Sequence, residues 1–264
     1  MNSPGPAPVR RPNRPRFACS VQSIQQLTPR MLRIIFSGQE LEKFVWNGPA
    51  AHIKLILGPP PAGGERPISR TYTPRHFDAA RCELTVDFVL HGEGPGSTWA
   101  AQARVGQPMV IAGPGRSYQL DAQAQWLLIA GDESAIPAIA SVLEGIPDSL
   151  YTQVLIEVND AADEFGIAAA RRNVSIGWLH RAHPIVGQGS VVAAGLELTG
   201  AVAAFRPPAG PGCVYVACEA EAMRRIRRHL LVELALPREW LTTRGYWKQG
   251  ATDHPDRDYG EDVA

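Results

Sequence analysis

Hydrophobic positions change their rhythm near residue 120. From Phe17 to Tyr118 the apolar runs are short and separated by Gly and Pro: Met31–Phe36, His52–Leu57, Cys82–Leu90 and Met109–Ala112. Leu84, Val86, Phe88 and Leu90 alternate with Thr85, Asp87 and Val89, which is largely the period-2 signature of a strand. Several short strands with Gly/Pro turns predict an antiparallel barrel or sandwich. Gly58–Arg66, rich in Pro and Gly, predicts a loop.

Beyond residue 120 the order becomes strand, helix, strand. Trp126–Ala130 is a continuous apolar run ending at Gly131, and Ile136, Ile139, Ala140, Val142 and Leu143 then recur at helical spacing. Val154–Val158, Val174–Leu179 and Cys213–Cys218 predict further strands. A helix is predicted from about Ala220 to Leu234, with Met223, Ile226, Leu230 and Leu234 as its apolar stripe. Runs buried on both faces and alternating with helices predict a doubly wound parallel α/β domain after the β-barrel domain.

The ends follow neither pattern. Residues 1–16 carry five prolines and four arginines without an acid, which predicts a flexible tail. Residues 251–264 carry Asp253, Asp256, Asp258, Glu261 and Asp262 and predict a second loose tail. The expected domains are therefore 17–120 and 121–250.

Charge removes some functions. Lys+Arg and Asp+Glu are both 26, so the chain lacks the positive excess that nucleic-acid binding requires. No run approaches the roughly 18 apolar residues of a membrane span. Residues 1–20 contain no apolar segment of the signal-peptide kind, and the expected location is the cytoplasm. The four cysteines, Cys19, Cys82, Cys213 and Cys218, show no C-x-x-C spacing and predict neither a disulfide scaffold nor a zinc site.

Three segments carry candidate chemistry. In Arg70-Thr71-Tyr72-Thr73-Pro74-Arg75, a guanidinium fork, a flat phenol and a hydroxyl suit a ligand both aromatic and phosphorylated. A single strand there would turn Arg70, Tyr72 and Pro74 one way. The same residues also fit an edge strand with solvated arginines. In Gly94-Pro95-Gly96-Ser97-Thr98-Trp99-Ala100, backbone N–H groups and hydroxyls gather at a predicted helix start, suited to a phosphate or to an ordinary turn. Gly131-Asp132-Glu133-Ser134 ends a parallel strand, where ligands bind in open α/β sheets. Ser134 is positioned there to cap the following helix. That turn lacks G-x-G-x-x-G and holds two carboxylates.

Taken together, RTYTPR (70–75), DFVLHG (87–92), GPGSTWA (94–100), GDESAIPAI (131–139) and GYWKQG (245–250) resemble the siderophore-interacting protein family of FAD-dependent ferric-siderophore reductases. The five motifs run in order over about residues 17–250. The departures are Gly96 where Ala is common and Cys218-Glu219 where Gly-Glu is usual. The resemblance implies a ferredoxin-reductase-like fold, with a Greek-key FAD barrel before an NAD(P)H-binding α/β domain. It places Arg70, Tyr72 and Thr73 at the isoalloxazine and its nearby phosphate, with Arg75 finishing the same cofactor-binding motif. Asp87 and His91 would line the flavin pocket, and Gly96, Ser97, Thr98 and Trp99 would hold the diphosphate and adenosine. Asp132, Glu133 and Ser134 would meet the nicotinamide nucleotide, NADH or NADPH. Lys54, Arg244 and Lys248 would attract an anionic ferric siderophore. Arg224, Arg225, Arg227 and Arg228 fit a solvated helix face or a phosphate contact to NADPH.

The expected chemistry needs no metal ligands from the protein, because the siderophore carries the iron. Alternatives are a flavoprotein reductase with another acceptor or a ferredoxin-like electron donor, and a non-redox siderophore-binding protein. The full set of flavin motifs disfavours the last, and GYWKQG favours the siderophore family over other flavoprotein reductases.

Overall fold

The computed structural model describes residues 14–58, 67–91, 94–167, 171–182, 193–251, 254–255 and 258–261. Most of the expected N-terminal tail and the Pro/Gly loop at 59–66 lie outside those residues. The first half forms a seven-stranded antiparallel sheet from β1 (Arg16–Thr28), β2 (Met31–Ser37), β3 (Ile53–Ile56), β4 (Ser69–Tyr72), β5 (Pro74–Asp78), β6 (Glu83–Val89) and β7 (Pro108–Ala112). Their spatial order is β4-β3-β7-β1-β2-β6-β5. β4 and β5 are thus opposite edges of the sheet, yet only Thr73 separates them in the chain. One residue spans about 3.5 Å, so the two edges meet at Thr73 and the sheet curls into a barrel.

The barrel interior follows the alternation. Leu84, Val86 and Phe88 of β6 join Ile34, Phe36, Ile53, Leu55 and Ile111 in one buried cluster. Asp87 takes the opposite face of β6. A short helix, α1 (Pro95–Ala101), closes one end of the barrel, with Pro95 at its first turn and Trp99 stacked on Phe36.

The second half is a five-stranded parallel sheet of order β10-β9-β8-β11-β12. Its strands are β8 (Trp126–Asp132), β9 (Tyr151–Val158), β10 (Val174–His180), β11 (Gly212–Glu219) and β12 (Leu241–Trp247). β8 and β11 are buried along their whole length, as central strands covered on both faces must be. One face packs on α2 (Ile136–Gly145) through Ile139 and Leu143. The other packs on α3 (Leu196–Ala204) and α4 (Ala220–Arg228) through Leu198, Val202, Met223 and Ile226. The chain leaves β8 in one direction and later inserts β11 on its other side. That topological switch point fixes where a ligand crevice opens.

Four expectations need correction. Residues 70–75 are not one strand: the path breaks at Thr73, so Tyr72 and Pro74 belong to opposite sheet edges. The helix after β11 keeps α geometry only to Arg228, and His229–Glu233 continues as a π turn. Asp132, not Ser134, caps the turn after β8, accepting from the Ser134 backbone N–H. The described part of the acidic C-terminal segment is packed rather than loose. Asp258 accepts from Arg224 and lies 2.8 Å from His254 Nε2, and its carbonyl receives the Gly245 N–H.

Contacts across the domain boundary hold the two sheets at a set distance. Arg30, in the β1–β2 turn, pairs with Asp160 and Asp163 beyond β9. Arg75 on β5 pairs with Glu144 on α2 at 2.6 Å. The Ala50 N–H donates to Ser141 Oγ on α2.

Candidate flavin and donor crevice

The carboxyl ends of β8, β11 and β12 face the barrel closure. Thr73, at the closure, lies beside the Tyr246 hydroxyl near the end of β12. Tyr246 in turn lies 3.0 Å from the Tyr215 hydroxyl on β11. Next along β12, Trp247 stacks against His91, with ring centroids 6.5 Å apart and planes 23° from parallel. The Trp247 indole Nε1 donates to Asp132 Oδ2 at 2.8 Å. Four of the five sequence motifs therefore meet here through side-chain contacts: RTYTPR, DFVLHG, GDESAIPAI and GYWKQG.

The fifth motif lies next to the first. Tyr72 faces Ile53 across the β3–β4 pair, so it shares the inner face of the barrel with Arg70. Its ring packs on Phe88 at 4.5 Å. α1 approaches so closely that a Cβ on Gly96 would lie 2.3 Å from the Tyr72 hydroxyl and 3.6 Å from the Arg70 Cγ. Only a residue without a side chain fits that approach unless Tyr72 shifts. The start of α1, with no acid in its first turn, thus lies beside the Arg70 side chain. Ser97 is buried and its hydroxyl accepts from the His91 N–H, which ties His91 to the first turn of α1. Thr98 is exposed and Trp99 half-buried.

Other expected site residues are engaged elsewhere. Both oxygens of Asp87 are held by the Arg33 fork, at 2.8 and 2.9 Å, on the outer barrel face. Arg75 reaches α2, as described. Lys54 Nζ donates to Thr71 on the neighbouring strand. The Arg244 guanidinium lies 4.3 Å over the Tyr259 ring, and Lys248 pairs with Glu221 at 3.0 Å. Each of the three basic candidates thus has its own neighbour. Arg224 is committed to Asp258, Arg225 to the Ala194 carbonyl and Arg227 to Thr243.

The sequence reading missed an ionic network under the crevice. Arg181, just after β10, is buried and donates to Glu157, Asn159 and both oxygens of Glu133. Glu157 is the penultimate residue of β9, while Glu219 ends β11 and Asp132 ends β8. Each was visible as a lone acid at or next to the end of an apolar run, in YTQVLIEV, GCVYVACE and WLLIAGD. Burial, and then the neighbouring Glu133 charge, push the Asp132 carboxyl up to about 7. Its bonds from Ser134 and Trp247 and the charge of Arg181 oppose that rise.

An antiparallel barrel joined to a doubly wound sheet, with its motifs gathered in the crevice between them, defines the ferredoxin-reductase-like class. The chain belongs to the siderophore-interacting protein family. Residues 124–250 match the siderophore-interacting protein model, and residues 20–65 and 58–118 match the siderophore-interacting FAD-binding domain. It is 31% identical to the ferric vibriobactin reductase ViuB of Vibrio cholerae, over 86% of this chain and 87% of that protein. It is 33% identical to the NADPH-dependent ferric-chelate reductase of Escherichia coli, over 61% of this chain and 71% of that protein. A siderophore utilization protein from T. fusca superposes with a TM-score of 0.79 and 32% identity, covering 92% of this chain and 96% of that one. Among the described residues, no helix is long and apolar enough to cross a membrane.

Proposed function

We propose that this protein is an FAD-dependent reductase of ferric siderophores, acting in the cytoplasm with a dihydronicotinamide donor. The observation that carries the reading is the meeting of Thr73, His91, Asp132, Tyr246 and Trp247 in one crevice, directly beside Arg70, Tyr72 and α1. The donor set fits FAD: a guanidinium and acid-free helix N–H groups for a diphosphate, a flat phenol and indole for a ring system. The glycine at 96 lets α1 lie close against Tyr72 and Arg70 in this chain.

Residues 17–120 hold the cofactor and residues 121–250 receive the electron donor. Arg70 and the start of α1 hold the diphosphate. Tyr72 and Thr73 orient the ring system from the barrel side, while Trp247 and His91 shield it from the other. Asp132 fixes the Trp247 indole by accepting its N–H. When bound, the flavin supplies conversion of an electron pair into single-electron steps, which ferric iron requires. Lys54, Arg244 and Lys248 supply positive charge toward an anionic iron complex. The Vibrio and Escherichia coli relatives, named as ferric vibriobactin and NADPH-dependent ferric-chelate reductases, support the acceptor class and the donor.

The test is direct. Purified protein is titrated with FAD, then mixed anaerobically with NADPH or NADH and a panel of ferric siderophores while flavin bleaching and ferrous-iron capture are followed. Saturable FAD binding and iron(II) release are expected. A protein that binds no FAD sinks the reading. One that holds FAD but releases no iron(II) from any ferric siderophore belongs with the other-acceptor reductases.

A further inference from the structure

Three adjacent strands of the parallel sheet carry buried carboxylates at or next to their carboxyl ends. Asp132 on β8 is the register partner of Glu157 on β9, and the Glu219 N–H on β11 donates to Asp132 Oδ2. Their exposures are 2%, 1% and 3%. Each one occupies backbone donors at the start of the helical segment that faces it. Asp132 accepts from the Ser134 N–H before α2. Glu157 accepts from the N–H groups of Gly195 and Leu198 at the start of α3. Glu219 accepts from the Ala222 N–H in the first turn of α4.

In doubly wound folds these helix starts are where a dinucleotide diphosphate sits, on free N–H groups and the positive helix end. Here the donors are already bonded to internal carboxyl groups. Glu133 adds a fourth carboxylate, and Arg181 is shared between Glu133 and Glu157. A diphosphate entering this edge would lose its donors and meet like charge at short range. α1 on the barrel side is the opposite case, with no acid in its first turn and Arg70 beside it.

We propose that Asp132, Glu157 and Glu219 determine donor selectivity by excluding a dinucleotide's diphosphate from the carboxyl edge of the sheet. The donor's dihydronicotinamide end is then used without help from its ADP half. The inference rests on the flavin-reductase reading, and FAD retention, seen as bound yellow colour, checks that reading separately.

Calorimetry with ADP-ribose tests the exclusion without any turnover. The wild-type holoprotein should bind it with a Kd above about 1 mM. Glu219→Gln keeps an acceptor for the Ala222 N–H but removes the charge, and should tighten ADP-ribose about fivefold. In stopped flow, phosphate-free 1-benzyl-1,4-dihydronicotinamide should reduce the flavin with a kcat/KM within about tenfold of NADPH, whereas an enzyme that uses the ADP half loses far more on truncation. The NADPH-to-benzyl ratio should rise in Glu219→Gln. Where Glu219→Gln fails to fold, Asp132→Asn serves the same comparison. A yellow wild-type protein that binds ADP-ribose near 10 µM, an affinity about a hundredfold tighter, overturns the proposal. So does a folded variant that leaves both ADP-ribose affinity and the ratio unchanged.

Discussion

Trp247 and Asp132 lie 115 residues apart in the chain, yet the indole Nε1 of one donates to the carboxylate of the other at 2.8 Å. A face of the same indole stacks on His91 of the barrel domain. Trp247 therefore joins the two domains at the crevice, its edge held by Asp132 and its face by His91.

Trp247→Phe keeps an aromatic ring and deletes the donor. Asp132 Oδ2 retains the Glu219 N–H but loses its second partner. An unmet bond at a buried carboxylate costs about 1–3 kcal/mol, which corresponds to a melting point lower by about 2–12 °C in a chain of this size. Scanning calorimetry of both proteins checks it. An unchanged melting point removes Asp132 as the anchor of the indole.

Asp132 also predicts how stability follows pH. Its carboxyl titrates at about 7 in the fold, against about 4 in an unfolded chain. Between those values the folded state holds the proton and the unfolded state does not. The stabilisation is therefore fully present below about pH 4 and lost as pH rises through 7. Denaturant unfolding of wild type and Asp132→Asn should give a stability difference that changes across this window and is flat above pH 8. A difference independent of pH from 4 to 8 contradicts the assignment.

Arg181 carries the network beneath the crevice. Its side chain is 5% exposed and Glu157 is 1% exposed. Arg181→Met leaves Glu157 buried without its cation, a loss of about 3–5 kcal/mol. Adding Glu157→Gln to that variant should recover part of the loss, since the uncompensated charge is removed. Urea midpoints of the single and double variants decide this. A single variant as stable as wild type would show that the network is dispensable.

Arg70→Ala tests the cofactor cradle. A charge-assisted contact to phosphate contributes about 1.5–3 kcal/mol, so the FAD Kd should rise between roughly tenfold and a hundredfold. Flavin fluorescence titration reads this. An unaltered Kd moves the diphosphate away from α1.

Most of the architecture was legible because burial imposes its period on the sequence. Trp126–Ala130 and Cys213–Cys218 read as buried strands, and both are central in the sheet. The break at Thr73 was not legible, because a barrel corner and a continuous strand share the same local pattern. Arg181 gave no signal, since a lone arginine after a strand is usually solvated. Its role comes from Glu133, Glu157 and Asn159, 22 to 48 residues away in sequence. The packing of Asp258 was hidden for the same reason: acidic composition predicts solvation, and only the fold brings Arg224 and His254 to it.

Lys248 is the sharpest test of the substrate side. It follows Trp247 directly, so it stands at the rim of the crevice, and its ammonium pairs with Glu221 at 3.0 Å. Both side chains are about half exposed, so the pair is screened by water and contributes little to stability. The lysine is thus available to an anionic iron complex, with Glu221 as its internal competitor. Lys248→Ala should raise the KM for an anionic ferric siderophore, and added salt should mask part of the difference. Glu221→Gln should act in the opposite direction and lower that KM, because it frees the ammonium without removing it. FAD content should stay the same in both variants, since neither side chain is among those proposed to hold the cofactor. Steady-state kinetics at low and high salt, with FAD content measured by absorbance, separate the cases. If Lys248→Ala loses FAD, or if both variants shift KM the same way, the lysine does not serve the iron complex.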